Sequence, residues 1–170
     1  MRITLSELNA CQALEFVAIC GPVFEHSPWI AERTASRRPF QTRDDLHAAL
    51  CATVGEASAE EQLSLVRAHP DLVGRAAQRD LTDPSRREQA AAGLGELSPE
   101  EIRLFAEYNA AYRARFAFPF VICARENRKD AILAAFPLRL RNTPQQELDT
   151  ALIEIAKIAR LRLFDSVYEG

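Results

Sequence analysis

His69 stands directly before Pro70 in the stretch 63–74, LSLVRAHPDLVG, where an amphipathic helical pattern runs out. A proline disfavours helical dihedrals in the residue before it and has no N–H to donate, so the imidazole is expected at a fixed corner. A histidine so placed can exchange protons near neutral pH. It fits a surface helix end equally well, where its charge would favour the dipole, and both readings stand at this point. Ser85-x-x-Glu88, followed by Gln89, is a second group. Its spacing is that of a capping box, and the chain repeats the pattern at Ser58/Glu61 and Ser98/Glu101. The other reading is that Ser85, Glu88, Gln89 and the open backbone donors of a helix start meet a ligand. Arg162 is the third group. Leu148, Leu152, Ile155 and Ala159 step by helical spacings along the last helix; Arg162 continues their stripe and Arg160 falls off it. An inward arginine is costly without an anionic partner, unless its long stem lets the head snorkel from the helix end.

One His, one Glu and one Arg make a cofactor-free proton-transfer set. Other chemistries lack their motifs: the chain has no G-x-S-x-G elbow, P-loop, dinucleotide glycine pattern, H-E-x-x-H or paired-aspartate metal site. His26 and His47 are unaccompanied and read as surface or satisfied core residues. Cys11, Cys20, Cys51 and Cys123 form no CxxC pair or Cys/His cluster, and read as small buried hydrophobes in a reducing compartment. Twenty-one basic against 24 acidic side chains give a formal charge of −3, which argues against nucleic acid as a partner. No apolar run approaches the ~20 residues that span a bilayer. The start MRITLSELNA has no basic segment leading into an apolar run, and the end DSVYEG is no peroxisomal signal. A soluble, cytoplasmic protein with no membrane partner is expected.

The elements that must position these residues read as helices. With 170 residues and 48% hydrophobic composition the chain is most simply one domain over 1–170, all-α and compact, of six to nine helices. Asn9 and Gln12 resemble a capping pair before Leu14, Val17 and Ala18, and Ser27-Pro28 restarts a helix through Trp29. Arg37 to Phe40 reads as a linker with an aromatic anchor. Thr42 and Asp45 open a helix that closes at Gly55, and Ser58 and Glu61 launch the one that reaches His69. Thr82-Asp83-Pro84 is expected as a turn. Ser98-Pro99-Glu100-Glu101 is the clearest helix start, for a helix running to about Arg113. The run 116–123, FAFPFVIC, is taken as extended and core-lining because Pro119 opposes a continuous helix. Its backbone groups would need partners, and a polar planar ligand could supply some. Lys129 to Phe136 is expected as a helix ended by Pro137, and Thr143 to Gln146 caps a last helix to about Phe164.

AHPDLVG at 68–74, SRREQAAAGL at 85–94, FAFPFVICARENRK at 116–129 and ELDTALIEIAKIARLRL at 147–163 together closely resemble the OHCU decarboxylases. These act on 2-oxo-4-hydroxy-4-carboxy-5-ureidoimidazoline (OHCU) in urate degradation. SPW at 27–29 and RPF at 38–40 resemble the same family, so the likeness covers nearly the whole chain. It implies an all-helical fold, usually a homodimer, and release of CO2 to give (S)-allantoin with no cofactor. Carried over by position, His69 matches the catalytic histidine, and Glu88 and Arg162 match the essential carboxylate and arginine. Pro70, Ser85, Gln89 and the segment Phe118, Phe120, Val121 and Ile122 match substrate-contacting positions. Val73 and Arg75 look like ordinary variation. Two rivals stand beside this reading: a helical adaptor that docks a protein on the run from Phe116 to Ile122, and a same-fold enzyme acting on another ureide. Exposure of the aromatic run separates the adaptor from the enzyme.

Overall fold

Side-chain caps start most of the helices, as the sequence leads one to expect, although two starts lie elsewhere than the spacing predicts. The computed structural model describes residues 2–73 and 82–170. Gly74, Arg75 and the polar stretch after them, on which part of the sequence reading falls, lie outside the described residues. Helix α1 (Leu5–Ala10) is opened by a reciprocal box between Thr4 and Glu7. Asn9 does not cap the following helix α2 (Ala13–Cys20); its amide is bonded to Phe40 instead, and Gln12 at the N-cap makes no side-chain cap bond. Helix α3 (Trp29–Thr34) follows Pro28. Helices α4 (Arg43–Gly55) and α5 (Ala59–Arg67) carry the boxes Thr42/Asp45 and Ser58/Glu61 that their sequences announce.

Helix α6 (Asp83–Ala91) begins earlier than expected. Thr82 is its N-cap and accepts the Ser85 N–H at 3.4 Å, so 82–84 is a helix start and not a turn. Pro84 fits there because the first turn of a helix has no use for its missing donor. Helix α7 (Pro99–Phe116) has the Ser98/Glu101 box and runs on to Phe116, where Ala117 turns left-handed at φ 59°. Residues 118–123 are in neither helix nor strand and Ala124–Glu126 form one 3-10 turn; helix α8 (Lys129–Arg139) then carries Pro137 inside its last turn instead of ending before it. A proline this near the C-terminus costs one bond, and Leu140 N–H still reaches Phe136 O at 2.9 Å. Helix α9 (Pro144–Ser166) is capped by Thr143, which accepts from Gln146 N–H at 3.2 Å. Nine α-helices are thus present among the described residues, with one two-stranded parallel ribbon, Ile3–Thr4 against Val167–Tyr168, too short to be read from sequence.

Two compact units divide the chain: Met1–Ala68 with Ala156–Gly170, and His69–Ile155. In the first, Leu8, Phe16, Ile30, Leu46, Leu50 and Leu65 are fully buried. In the second, the Tyr112 ring is surrounded by Phe116, Phe118, Phe120 and Phe136 at centroid distances of 4.7–6.4 Å. No helix among the described residues is long and apolar enough to cross a membrane.

Candidate active site

Helix α5 stops at its C-cap Ala68, and His69 is the next residue. Its side chain is only 6% exposed, so the surface reading of this histidine is overturned. The residues after it, Pro70 to Val73, are held by the second unit's own helices. From α6, Gln89 Oε1 accepts the Val73 N–H and Gln89 Nε2 donates to Asp71 O, both at 3.4 Å. From α7, Asn109 Nδ2 donates to Leu72 O at 2.6 Å, and Arg113 Nε lies 3.0 Å from both carboxylate oxygens of Asp71. Val73 sits in the left-handed region at φ 57°, a conformation unfavourable for a β-branched residue.

The early start of α6 decides the reading of Ser85-x-x-Glu88. Thr82 occupies the cap, which puts Ser85 at the third helical position, buried, and leaves Glu88 a turn further on. Neither residue serves as a capping box, and Ser85, Glu88 and His69 are each engaged with neighbouring groups.

The run expected to be extended over 116–123 is so only in part: Phe116 still belongs to α7 and Ala117 is left-handed, because the helix continues until that reversal. Residues 118–123 are in neither helix nor strand, and Phe118, Phe120, Val121, Ile122 and Cys123 are buried together with Phe116. A docking patch must be exposed, so the adaptor reading loses its surface. Side chains hold the two ends of this segment. Arg139 Nη1 donates to Val121 O at 2.6 Å, and Glu154 Oε2 accepts the Cys123 N–H at 2.8 Å. Arg139 is itself braced by Glu147, which is fully buried and also receives Tyr112 Oη and, at 2.8 Å, Asn142 Nδ2. Among the described residues, the N–H groups of Phe120, Val121 and Ile122 make no hydrogen bond. Buried donors of this kind take water or a ligand. Burial pushes the Cys123 thiol up to about 11, and burial followed by the bond to Glu147 raises the Tyr112 phenol; both are neutral packing groups at physiological pH.

Arg162 belongs to the other unit. It is 7% exposed, and its Nη1 donates to Oε2 of Glu25 at 2.9 Å, Glu25 being 2% exposed. The inward arginine does not snorkel: it has a protein carboxylate, which offsets the cost of burying the cation. Arg160 lies on the surface, 3.0 Å from Asp44. His26 is exposed, and a ring nitrogen of half-buried His47 lies 2.9 Å from Ala156 O, so neither joins the site. All four cysteines are free, with Cys20 and Cys123 buried and Cys11 and Cys51 partly so.

Sequence reasoning missed Glu25, Asn109, Arg139, Glu147 and Glu154. Only the last pair left a signal: two carboxylates seven residues apart on a helix share a face.

The family model described as OHCU decarboxylase matches residues 9–164. A Haloferax volcanii protein named 2-oxo-4-hydroxy-4-carboxy-5-ureidoimidazoline decarboxylase is 44% identical over 161 residues, covering 95% of this chain and 94% of that protein. One of the same name from Halalkalicoccus jeotgali is 41% identical over 162 residues, covering 95% and 90%. Among solved structures, one titled as (S)-allantoin synthase superposes with a TM-score of 0.79 at 31% identity over 97% of this chain. This chain spans about half, 54%, of that longer one.

Proposed function

The chain belongs to the OHCU decarboxylase family, and on that premise we propose that it decarboxylates OHCU to allantoin in urate degradation, with His69 moving the proton. The reaction is that of a carbon–carbon lyase. OHCU carries a carboxylate and a hydroxyl on one ring carbon, beside a ring C=N. When the bond to CO2 breaks, its electron pair forms a double bond to the neighbouring carbon, and the C=N pair moves onto nitrogen, which takes a proton. Loss of the hydroxyl proton and delivery of a proton to the ureido-bearing carbon then give allantoin. One proton is taken up for each CO2 released. The ring is its own electron sink, so no metal or organic cofactor enters the proposal.

His69 delivers the proton, and Glu88 orients the imidazole or shares the relay. Arg162 stabilises charge on the departing carboxylate or the developing oxyanion. Pro70, Ser85, Gln89, Phe118, Phe120, Val121 and Ile122 hold the planar ring. The open N–H groups at Phe120, Val121 and Ile122 suit its oxygens. A proton delivered to one face gives (S)-allantoin, where uncatalysed decay gives the racemate. The enzyme is a cytoplasmic homodimer; four free cysteines fit a reducing compartment.

The burial of His69 carries the site assignment, since a histidine that merely ended a surface helix would be solvated. The activity is tested by generating OHCU from urate with urate oxidase and 5-hydroxyisourate hydrolase, adding the protein, and following circular dichroism. A rapid single-signed signal of (S)-allantoin is expected. Decay no different from the protein-free control would overturn the proposal.

A further inference from the structure

We propose that Asn109 is a positioning residue for His69, acting through the backbone of the loop that follows it. This inference rests on the reading of His69 as the proton-transfer residue. Three observations within the second unit converge on it.

First, Asn109 is 7% exposed, and its Nδ2 donates to Leu72 O at 2.6 Å and lies 3.5 Å from Val73 O. A carbonyl only accepts, so the amide nitrogen must be the end that faces these oxygens. Second, Asn109 Oδ1 is buried and has no hydrogen-bond partner among the described residues. A buried amide that leaves one end unsatisfied is retained at a cost, and here its one strong bond goes to the loop. Third, that loop holds a β-branched residue, Val73, at φ 57°, a strained state that persists only where its surroundings impose it.

Helix α7 provides the rigid frame. Asn109 and Arg113 are one turn apart and share a face; Asn109 takes Leu72 O, and Arg113 takes the Asp71 carboxylate through two contacts of 3.0 Å. Gln89 of α6 closes the other side through Val73 N–H and Asp71 O. The chain from Asp71 to Val73 is therefore held from two helices, and His69 is two residues before it. Asn109 touches no reacting atom in this scheme. It fixes where the imidazole sits when the proton is delivered, and misplacement on the scale of 1 Å is enough to cost a proton-transfer step dearly.

The test is Asn109→Asp, which keeps the side chain's size and removes the donor, assayed for kcat and KM under the coupled conditions described above. A fall in kcat of roughly 10- to 100-fold is expected, larger than any rise in KM, because of the groups proposed to hold the ring only Pro70 and Gln89 adjoin this loop. An unchanged kcat per folded molecule, with only a lowered melting temperature, would show a purely structural role and overturn the inference. A raised KM at unchanged kcat would also overturn it, since that marks a substrate contact. Should Asn109→Asp fail to fold, Arg113→Gln, on the half-exposed outer side, replaces it. A roughly twofold to fivefold fall in kcat is then expected, the scale of a partly exposed ion pair, and no change overturns the clamp. His69→Ala is run in parallel. If it keeps the wild-type rate, the reading of His69 falls; if it is inactive while Asn109→Asp keeps its kcat, only the present inference falls.

Discussion

Two asparagines hold two loops in this protein, and they do so differently. Asn9 bonds the Phe40 backbone with both ends of its amide, donating from Nδ2 to Phe40 O and accepting the Phe40 N–H at Oδ1, each at 2.8 Å. Phe40 is buried and stacks on Phe16. Asn109 uses one end only, leaves Oδ1 buried and unpartnered among the described residues, and holds a loop with Val73 in a strained conformation. The first is a staple with its polar groups satisfied. The second keeps a backbone shape that local energetics would not choose, beside the histidine proposed to do chemistry. Strain and unmet polar groups collect where geometry serves reaction before stability.

The largest expected contrast is on the chemical side. Glu88→Gln should lower turnover by about 100-fold or more with little change in melting temperature, because Thr82 and not Ser85 caps α6 and glutamine keeps the length and hydrogen-bonding reach of the side chain. A loss of stability at preserved turnover would return Glu88 to a structural role. Asn9→Ala should behave in the opposite sense. It strands the Phe40 backbone and should cost about 1–3 kcal/mol, a fall of several degrees in melting temperature, with kcat per folded molecule unchanged. A smaller effect sharpens the strain argument: Val73→Gly should stabilise by about 1 kcal/mol in denaturant titration, strain relief outweighing the entropy of glycine. Destabilisation would mean that packing of the valine side chain outweighs its backbone cost.

The smallest effect lies at the helix caps, in both units. Glu61 is held down to about 2, first by the Arg33 guanidinium and then by the Ser58 N–H. Glu101 is lowered by Lys129 and the Ser98 N–H, and Glu7 by the Thr4 N–H. A carboxylate lowered in the folded state stabilises above its ordinary value, 4.5 for Glu61, and loses that contribution as pH falls toward the folded value of about 2. Melting temperature should therefore drop across this interval, and less steeply for Glu61→Gln. Parallel curves for variant and wild type would remove Glu61 from the account.

Three helix starts are legible from a local signal. Thr42/Asp45, Ser58/Glu61 and Ser98/Glu101 are reciprocal boxes because the spacing alone brings side chain to backbone. The equally local Thr4/Glu7 box is not part of the sequence reading, Thr82 reads as a turn where it is an N-cap, and Asn9 reads as a cap because its bond to Phe40, 31 residues away, leaves no local trace. The last helix shows the same limit. Polarity placed Leu148 and Leu152 on the inward stripe, yet these are only half-buried, whereas Glu147, Ala151 and Glu154 are buried. Hydrophobic phase fails where a helix turns carboxylates inward to meet Arg139 and the Cys123 N–H. It held at Arg162, where the flanking Ala159 and Leu163 are apolar and fully buried. The residues proposed for the site stand out by motif, but what holds them does not, because Asn109, Arg139 and Glu25 meet partners far away in sequence.

One comparison of initial rates bears on all of this: the dichroic signal of allantoin from enzymatically generated OHCU, for wild type and for His69→Ala, with helical content matched by far-ultraviolet dichroism. The wild type should give a fast, single-signed rise, and the variant only the spontaneous, optically silent decay. A fully helical His69→Ala that still formed (S)-allantoin at the wild-type rate would contradict the role assigned to the buried imidazole, and with it the reason given for the strained loop that follows.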